Sequence, residues 1–213
     1  MEKEGIVIVF VGPSGSGKGT AALKLISKNV NVFKKFANYT TRPIRVGEKA
    51  GCNYHYITKD EFNEKVQSGD IFEFTHVYCN YYGMSKREIE SKFINGGVAV
   101  SDCDIRGAKE LKKVYGENCV IVYVNVKEEV AENRLIGRDG NENKEDRKIR
   151  MKEFKENLNF MLTFCPEYII DNNGDEEELA ASTDSLCKSI MTDYNIANNK
   201  GETKNEHEQE IAK

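Results

Sequence analysis

The sequence predicts an α/β protein: a parallel sheet flanked by helices, built on a phosphate-binding loop and carrying an inserted mixed α+β lobe and a lid. Three observations predict it. An apolar run, Gly5-Ile6-Val7-Ile8-Val9-Phe10-Val11, leads straight into the glycine-rich Gly12-Pro13-Ser14-Gly15-Ser16-Gly17-Lys18-Gly19-Thr20, and from there into a helix-forming stretch. Short apolar segments then alternate with helical patterns, the rhythm of a parallel sheet covered on both faces. Residues 38–95 break that rhythm.

The first strand, Ile6–Val11, has no polar side chain, so both of its faces are expected to be buried. The loop after it turns on Gly12, Gly15 and Gly17, whose freedom lets backbone N–H groups converge on anionic oxygens. Ser14 and Ser16 add hydroxyls, and Lys18 adds a full charge at the start of a helix over Lys18–Lys28. The pattern G-x-x-x-x-G-K is met, but Gly19 stands where Ser or Thr is usual, and Thr20 follows one residue late. Three more buried strands are expected at Val98–Ser101, Cys119–Val124 and Tyr168–Ile170. Helices are expected at Arg106–Tyr115, Lys127–Ile136, Asp146–Thr163 and Asp175–Met191. Inside 38–95, Tyr54–Ile57 and Ile71–Phe74 read as strands around a helix at Lys59–Gln67, with a turn at Gly69-Asp70. The expected domains are a core of 1–37 and 96–197, a lobe of 38–95, a lid of 137–150 within the core, and a disordered Asn-, Lys- and Glu-rich tail of 198–213.

The 213 residues suffice for one substantial domain with inserted lobes. A net charge of −4 gives no global attraction to nucleic acid or anionic membrane, so an anion site must be local. The Met1-Glu2-Lys3-Glu4 start lacks the basic region of a signal peptide, and no apolar run is long enough to span a bilayer. Six cysteines without a C-x-x-C pair read as reduced thiols of a cytoplasmic protein. His55, His76 and His207 share no metal-like spacing and read as structural.

The stretch Thr40-Thr41-Arg42-Pro43-Ile44-Arg45-Val46-Gly47-Glu48 puts two arginines three apart, stiffened by Pro43. Guanidinium forks bind phosphate bidentately, so Arg42 and Arg45 can converge on one anion; a solvated basic loop is the other reading of this composition. Tyr54 and Tyr82 add hydroxyl donors.

Here the chain resembles the guanylate kinases over about residues 5–190. The matching pieces are the phosphate loop, Thr40–Glu48, Gly51-x-x-Tyr54-His55-Tyr56, Phe72-Glu73, Asn80-Tyr81-Tyr82-Gly83, Asp102-x-Asp104-x-x-Gly107-Ala108 and Arg134-Leu135-x-x-Arg138. Their order and spacing together are specific. The resemblance implies a kinase that moves the γ-phosphoryl of ATP to GMP or dGMP, with Mg²⁺ as cofactor. The 38–95 lobe becomes the GMP lobe. Arg42, Arg45, Tyr54 and Tyr82 would clamp the GMP phosphate, with Asn38 close by. Glu73 would accept hydrogen bonds from guanine N1 and N2, with Met84 standing where the family usually has Ser or Thr. Asp102 and Asp104 would serve the metal through water, and Asp104 also GMP. Lys18, Arg42, Arg134, Arg138 and Arg150 would carry the catalytic charge, Arg150 being preferred to Arg147 as the last lid arginine. Gly12, Ser14, Gly15, Ser16, Gly17, Lys18, Gly19 and Thr20 would hold ATP phosphates, and Asn172 would face the ATP base. Arg106, where the family commonly has Gln, reads as a helix-surface residue. The expected partners are these nucleotides, with no nucleic-acid polymer and no membrane, for a monomer or weak dimer. Two other functions fit the same motifs: a non-catalytic guanylate-kinase-like module binding a phosphopeptide, and a kinase for another mononucleotide. The intact loop with Lys18 speaks against the first, and Glu73 with the paired arginines against the second.

Overall fold

The computed structural model describes residues 5–44, 47–52, 54–77, 79–138, 154–157 and 159–196. Two sheets organise them. The first is five-stranded and wholly parallel, in the order β2 (Phe33–Lys35), β7 (Val98–Asp102), β1 (Val7–Val11), β8 (Cys119–Asn125), β9 (Tyr168–Asp171). The second is four-stranded, in the order β4 (Tyr54–Tyr56), β3 (Asn38–Thr40), β6 (Asn80–Ser85), β5 (Ile71–Val77). In it β6 runs antiparallel to both of its neighbours, while β3 and β4 are parallel.

Strand β1 sits at the centre of the first sheet because every side chain in it can be buried. Period-two alternation sends Ile8 and Phe10 to one face and Val7, Val9 and Val11 to the other. The first face is covered by α1 (Lys18–Lys28) through Ala21, Ala22 and Leu25, and by α7 (Glu176–Asp193) through Leu179, Leu186 and Ile190. The other face is covered by α4 (Ile105–Tyr115) through Ala108 and Leu111. Ile89 of α3 (Lys86–Glu90) and Phe160 of α6 (helical at 154–157 and 159–164) complete that layer. Helix α5 (Glu128–Arg138) follows β8 and buries Ala131 against Val126 and Phe154.

The four core strands expected from the apolar runs are all present. The short edge strand β2 escapes sequence reading because two of its three residues are Lys34 and Lys35, which suit an open edge and give no apolar signal. In the second sheet, helix α2 (Lys59–Gln67) starts at a capping box. Thr58 Oγ1 accepts from Glu61 N at 3.2 Å, and the Glu61 carboxylate accepts from Thr58 N at 2.7 Å. Its Phe62 stacks on Tyr81, ring centroids 5.4 Å apart, and pins the helix to the sheet. Gly83 leaves room for that ring: a Cβ there would stand 2.9 Å from Phe62 Cζ and 3.0 Å from the Glu73 carbonyl oxygen.

Of the expected lid, Gly137 and Arg138 are the last residues of α5; residues 139–150, and the tail from 198, lie outside the described residues. All six cysteines are free thiols. No helix among the described residues is long and apolar enough to cross a membrane.

Candidate active site

Gly15 and Gly17, at φ +82° and +81°, shape the turn between β1 and α1. Both lie against neighbouring chain. A Cβ on Gly15 would stand 2.6 Å from the Ala131 carbonyl oxygen, and one on Gly17 would stand 2.3 Å from Asn172 Nδ2. Gly15→Ala is therefore expected to destabilise the fold by at least about 1–2 kcal/mol, the cost of left-handed backbone alone. A lower urea midpoint at unchanged m-value is the check.

Side chains cap four other helices: Thr58 caps α2, Ser85 α3, Asp104 α4 and Asp175 α7. Helix α1 has Gly17 at that position, no side-chain cap and no acid in its first turn. Its N–H groups and the positive end of its dipole are left for an anion. Ser16 is buried, and its Oγ has no partner. Thr20 is exposed on the first turn.

Asn172 lies beneath this loop, 5 % exposed, and its Nδ2 donates to the Ser16 carbonyl at 2.7 Å. Its own N–H donates to the Asn125 carbonyl at 2.8 Å. The amide placed by resemblance at the ATP base thus braces the phosphate loop. Arg134 extends the brace, donating to the Asn172 carbonyl at 2.9 Å, to Asn172 Oδ1 at 3.4 Å and to the Gly174 carbonyl at 3.2 Å.

Two cavities adjoin the loop. The first runs from Gly12, Ser14 and Lys18 along Arg106 and Lys109 of α4 to the wall formed by α6. Arg106, expected on the helix surface, is exposed yet lines this cavity. The second cavity lies between the two sheets and is lined by Asn38, Tyr54, Glu73, Tyr82, Met84 and Asp102, among others. Lys18 and Asp104 belong to the walls of both.

In the second cavity, Glu73 and Met84 are cross-strand partners, as β5 and β6 pair Glu73 with Met84 and Thr75 with Tyr82. Burial pushes the Glu73 carboxyl up to about 7; Asp104 and Glu110 add to this, and Arg106 opposes it. Met84 is 3 % exposed and packs on Gly107, where a Cβ would meet Met84 Cε at 2.3 Å. Burial, reinforced by the Asp102 charge, holds the Tyr54 hydroxyl protonated far above the ordinary tyrosine range. Tyr54 meets Tyr82 edge-on, with ring centroids 5.8 Å apart. Asn38 Nδ2 reaches the Asp102 carbonyl at 3.5 Å, and Asn38 Oδ1 is buried without a partner.

The arginine turn is fastened to β6. Thr41 Oγ1 accepts from Tyr81 N at 2.9 Å, Thr40 Oγ1 donates to the Tyr81 carbonyl at 3.0 Å, and Arg42 N donates to Thr40 Oγ1 at 3.2 Å. Arg42 donates to both Glu48 carboxylate oxygens, at 2.9 and 2.8 Å, and lies over the rings of Tyr54 and Tyr56 at 5.4 and 5.7 Å. Tyr56 Oη donates to the same Glu48 at 2.8 Å. Arg45, Arg147, Arg150 and the Arg138 side chain lie outside the described residues.

Asp102 ends β7 and Asp104 caps α4, where its Oδ1 accepts from Gly107 N at 2.8 Å. The position of a Cβ on Gly19 is 3.5 Å from Asp102 Oδ1, so the start of α1 faces that carboxylate directly. No group of three or more His, Cys, Asp or Glu that could hold a metal occurs among the described residues. Two carboxylates near the uncapped start of α1 suit Mg²⁺, which keeps waters and takes few oxygens from a protein.

Sequence reading gave no role to Glu48, Tyr56, Thr75 or Lys109. Thr75 lies just past the strand expected at Ile71–Phe74; β5 runs on to Val77, and Thr75, two residues after Glu73, shares Glu73's face.

A family model described as guanylate kinase matches residues 4–189. The chain belongs to the guanylate kinase family. It is 34% identical to a guanylate kinase of Clostridium tetani (strain Massachusetts / E88) over 188 residues, 88% of each chain. It is likewise 34% identical to a guanylate kinase of Clostridium perfringens (strain 13 / Type A) over 171 residues, 80% of this chain and 78% of that one. The crystal structure of guanylate kinase from Anaplasma phagocytophilum superposes with a TM-score of 0.65 at 22% identity, covering 89% of this chain and 86% of that one, and shares its fold.

Proposed function

We propose that this protein is an ATP:GMP phosphotransferase, acting on GMP or dGMP in the cytoplasm. The observation that carries the reading is that Lys18 and Asp104 line both cavities, so a phosphate-holding lysine stands between a donor site and an acceptor site. The donor's β- and γ-phosphates take the α1 amides, Lys18 and the loop hydroxyls. The acceptor phosphate takes Arg42, Arg45, Tyr54 and Tyr82, and the acceptor base turns its N1–H and N2–H toward Glu73. The reaction asks mainly for positioning and charge stabilisation, and a phosphate oxygen is already a nucleophile, so no histidine base is needed. Asp102 and Asp104 would hold Mg²⁺ through water; when bound, the ion neutralises charge on the phosphates. Arg134, Arg138 and Arg150 supply further charge around the transferring group, Arg134 by leaving its carbonyl partners as the site closes. A phosphopeptide-binding module would have no use for the uncapped α1 terminus.

A coupled assay with ATP tests the reading against GMP, AMP, UMP and CMP. ADP is expected to form with GMP far faster than with the other three. No ADP with GMP at high enzyme concentration overturns it.

A further inference from the structure

One residue lining the acceptor cavity carries a buried hydroxyl with no hydrogen-bond partner: Thr75, at Oγ1. Buried polar side-chain atoms are rarely left unmatched, so a partner from outside the chain is the natural explanation. The register of β5 and β6 places this hydroxyl. Glu73, Thr75, Tyr82 and Met84 share one face, with Glu73 opposite Met84 and Thr75 opposite Tyr82. Thr75 therefore stands one step along the wall from Glu73 and directly across from Tyr82, which meets Tyr54 beneath Arg42.

A guanine nucleotide lying along that wall puts N1–H and N2–H at Glu73 and its phosphate at the tyrosines and Arg42. In the anti conformer the 5′-phosphate lies on the C8 side of the base. The edge that runs from Glu73 toward the phosphate is then the one bearing O6 and N7, both acceptors. Thr75 offers a donor along that edge. Met84, the residue opposite Glu73, offers only a thioether and is held in place against Gly107.

We propose that Thr75 is a base-binding contact of the acceptor site, its hydroxyl donating to O6 of the acceptor guanine. This rests on the reading that the cavity holds GMP. A hydroxyl can also accept from an amine, so the contact adds affinity at O6, while the choice of guanine over adenine rests on what Glu73 reads at N1 and N2.

The test is Thr75→Val, which keeps the branched shape and removes the hydroxyl, followed by calorimetric titration with GMP and with 6-thioguanosine monophosphate. The thio analogue keeps both N–H donors that Glu73 reads and replaces O6 by a poorer acceptor. Thr75→Val is expected to bind GMP about five- to tenfold more weakly and to lose most of the wild type's preference for GMP over the thio analogue. Thr75→Ser is expected to restore both, and ATP affinity, which reports the fold, stays unchanged in either variant. Equal weakening for both nucleotides, or a GMP affinity within about twofold of wild type, overturns the proposal. Failure of the wild type itself to bind GMP overturns the reading of the cavity, and this contact with it.

Discussion

Glu73→Gln is expected to weaken GMP binding by about a hundredfold while leaving ATP affinity unchanged. A hydrogen bond to a charged acceptor contributes about 1.5–3 kcal/mol, and guanine offers Glu73 two N–H donors. Glutamine keeps one acceptor oxygen and sets its amide N–H groups against one of those donors, so the site loses a bond and leaves a buried donor unmatched. The same amide matches adenine, which presents an acceptor at N1 beside a donor at N6, and AMP is expected to become a better acceptor in the variant. Initial rates with GMP and AMP at saturating ATP check both halves. An unchanged preference for GMP would move base recognition away from Glu73.

The environment of Glu73 makes this recognition pH-dependent. Its carboxyl is pushed up to about 7 by burial, with Asp104 and Glu110 adding to the effect and Arg106 opposing it. Below that pH the free protein carries Glu73 protonated, and the protonated group matches guanine's two donors poorly. GMP binding must then expel a proton, so the apparent dissociation constant rises as pH falls through 7. From pH 8 to pH 6 the ionised fraction of a group titrating near 7 drops about tenfold, and wild-type GMP affinity is expected to drop with it. Glu73→Gln removes the titrating group, so it separates this effect from protonation of the GMP phosphate itself. A wild-type profile parallel to the variant's would exclude Glu73 as the titrating contact.

The parts of this site legible in the sequence are those fixed by local chemistry. The loop from Gly12 to Thr20 announces itself because left-handed glycines, a lysine and a following helix must be consecutive to cradle phosphate. Strands β1, β7 and β8 announce themselves because burial on both faces makes each of them a nearly unbroken apolar run, Val7–Val11, Val98–Val100 and Cys119–Val124. Thr75 and the Glu48 carboxylate behind Arg42 do not, because their roles arise from strand pairing and from what lies across a turn. Strand β6 hides for a related reason. Asn80-Tyr81-Tyr82-Gly83-Met84-Ser85 shows no apolar alternation, since Tyr82 and Met84 on one of its faces line a cavity. Arg106 sits on the exposed side of α4, as its helix pattern demands, yet that side is a cavity wall; periodicity finds the solvent face and cannot tell bulk water from a substrate site. Asn172 shows the converse. Its resemblance to a base-facing residue rests on its place after a strand, while in the folded chain its amide is taken up by the Ser16 carbonyl.

Arg42→Ala is expected to weaken GMP binding at least a hundredfold and to leave ATP binding intact. Two effects act in the same direction. The variant loses charge-assisted donors to the acceptor phosphate, each contributing about 1.5–3 kcal/mol. It also takes away the two Arg42 nitrogens that donate to the Glu48 carboxylate, a negative charge that Tyr56 also holds and that lies beside the anionic ligand. Arg42→Lys does not restore the site, because a single ammonium cannot engage both Glu48 oxygens and the phosphate in the fork geometry. The two effects separate in the double variant Arg42→Ala/Glu48→Gln. Removing the Glu48 charge recovers the repulsive part of the loss, and what remains is the direct contribution of Arg42 to phosphate binding. Calorimetry with GMP and with ATP, each titrated alone, reads these quantities. If GMP and ATP affinities fell together, Arg42 would be supporting the fold rather than gripping the acceptor. If the double variant recovered wild-type affinity in full, the whole effect would belong to Glu48, and the clamp would rest on Tyr54, Tyr82 and Arg45 alone.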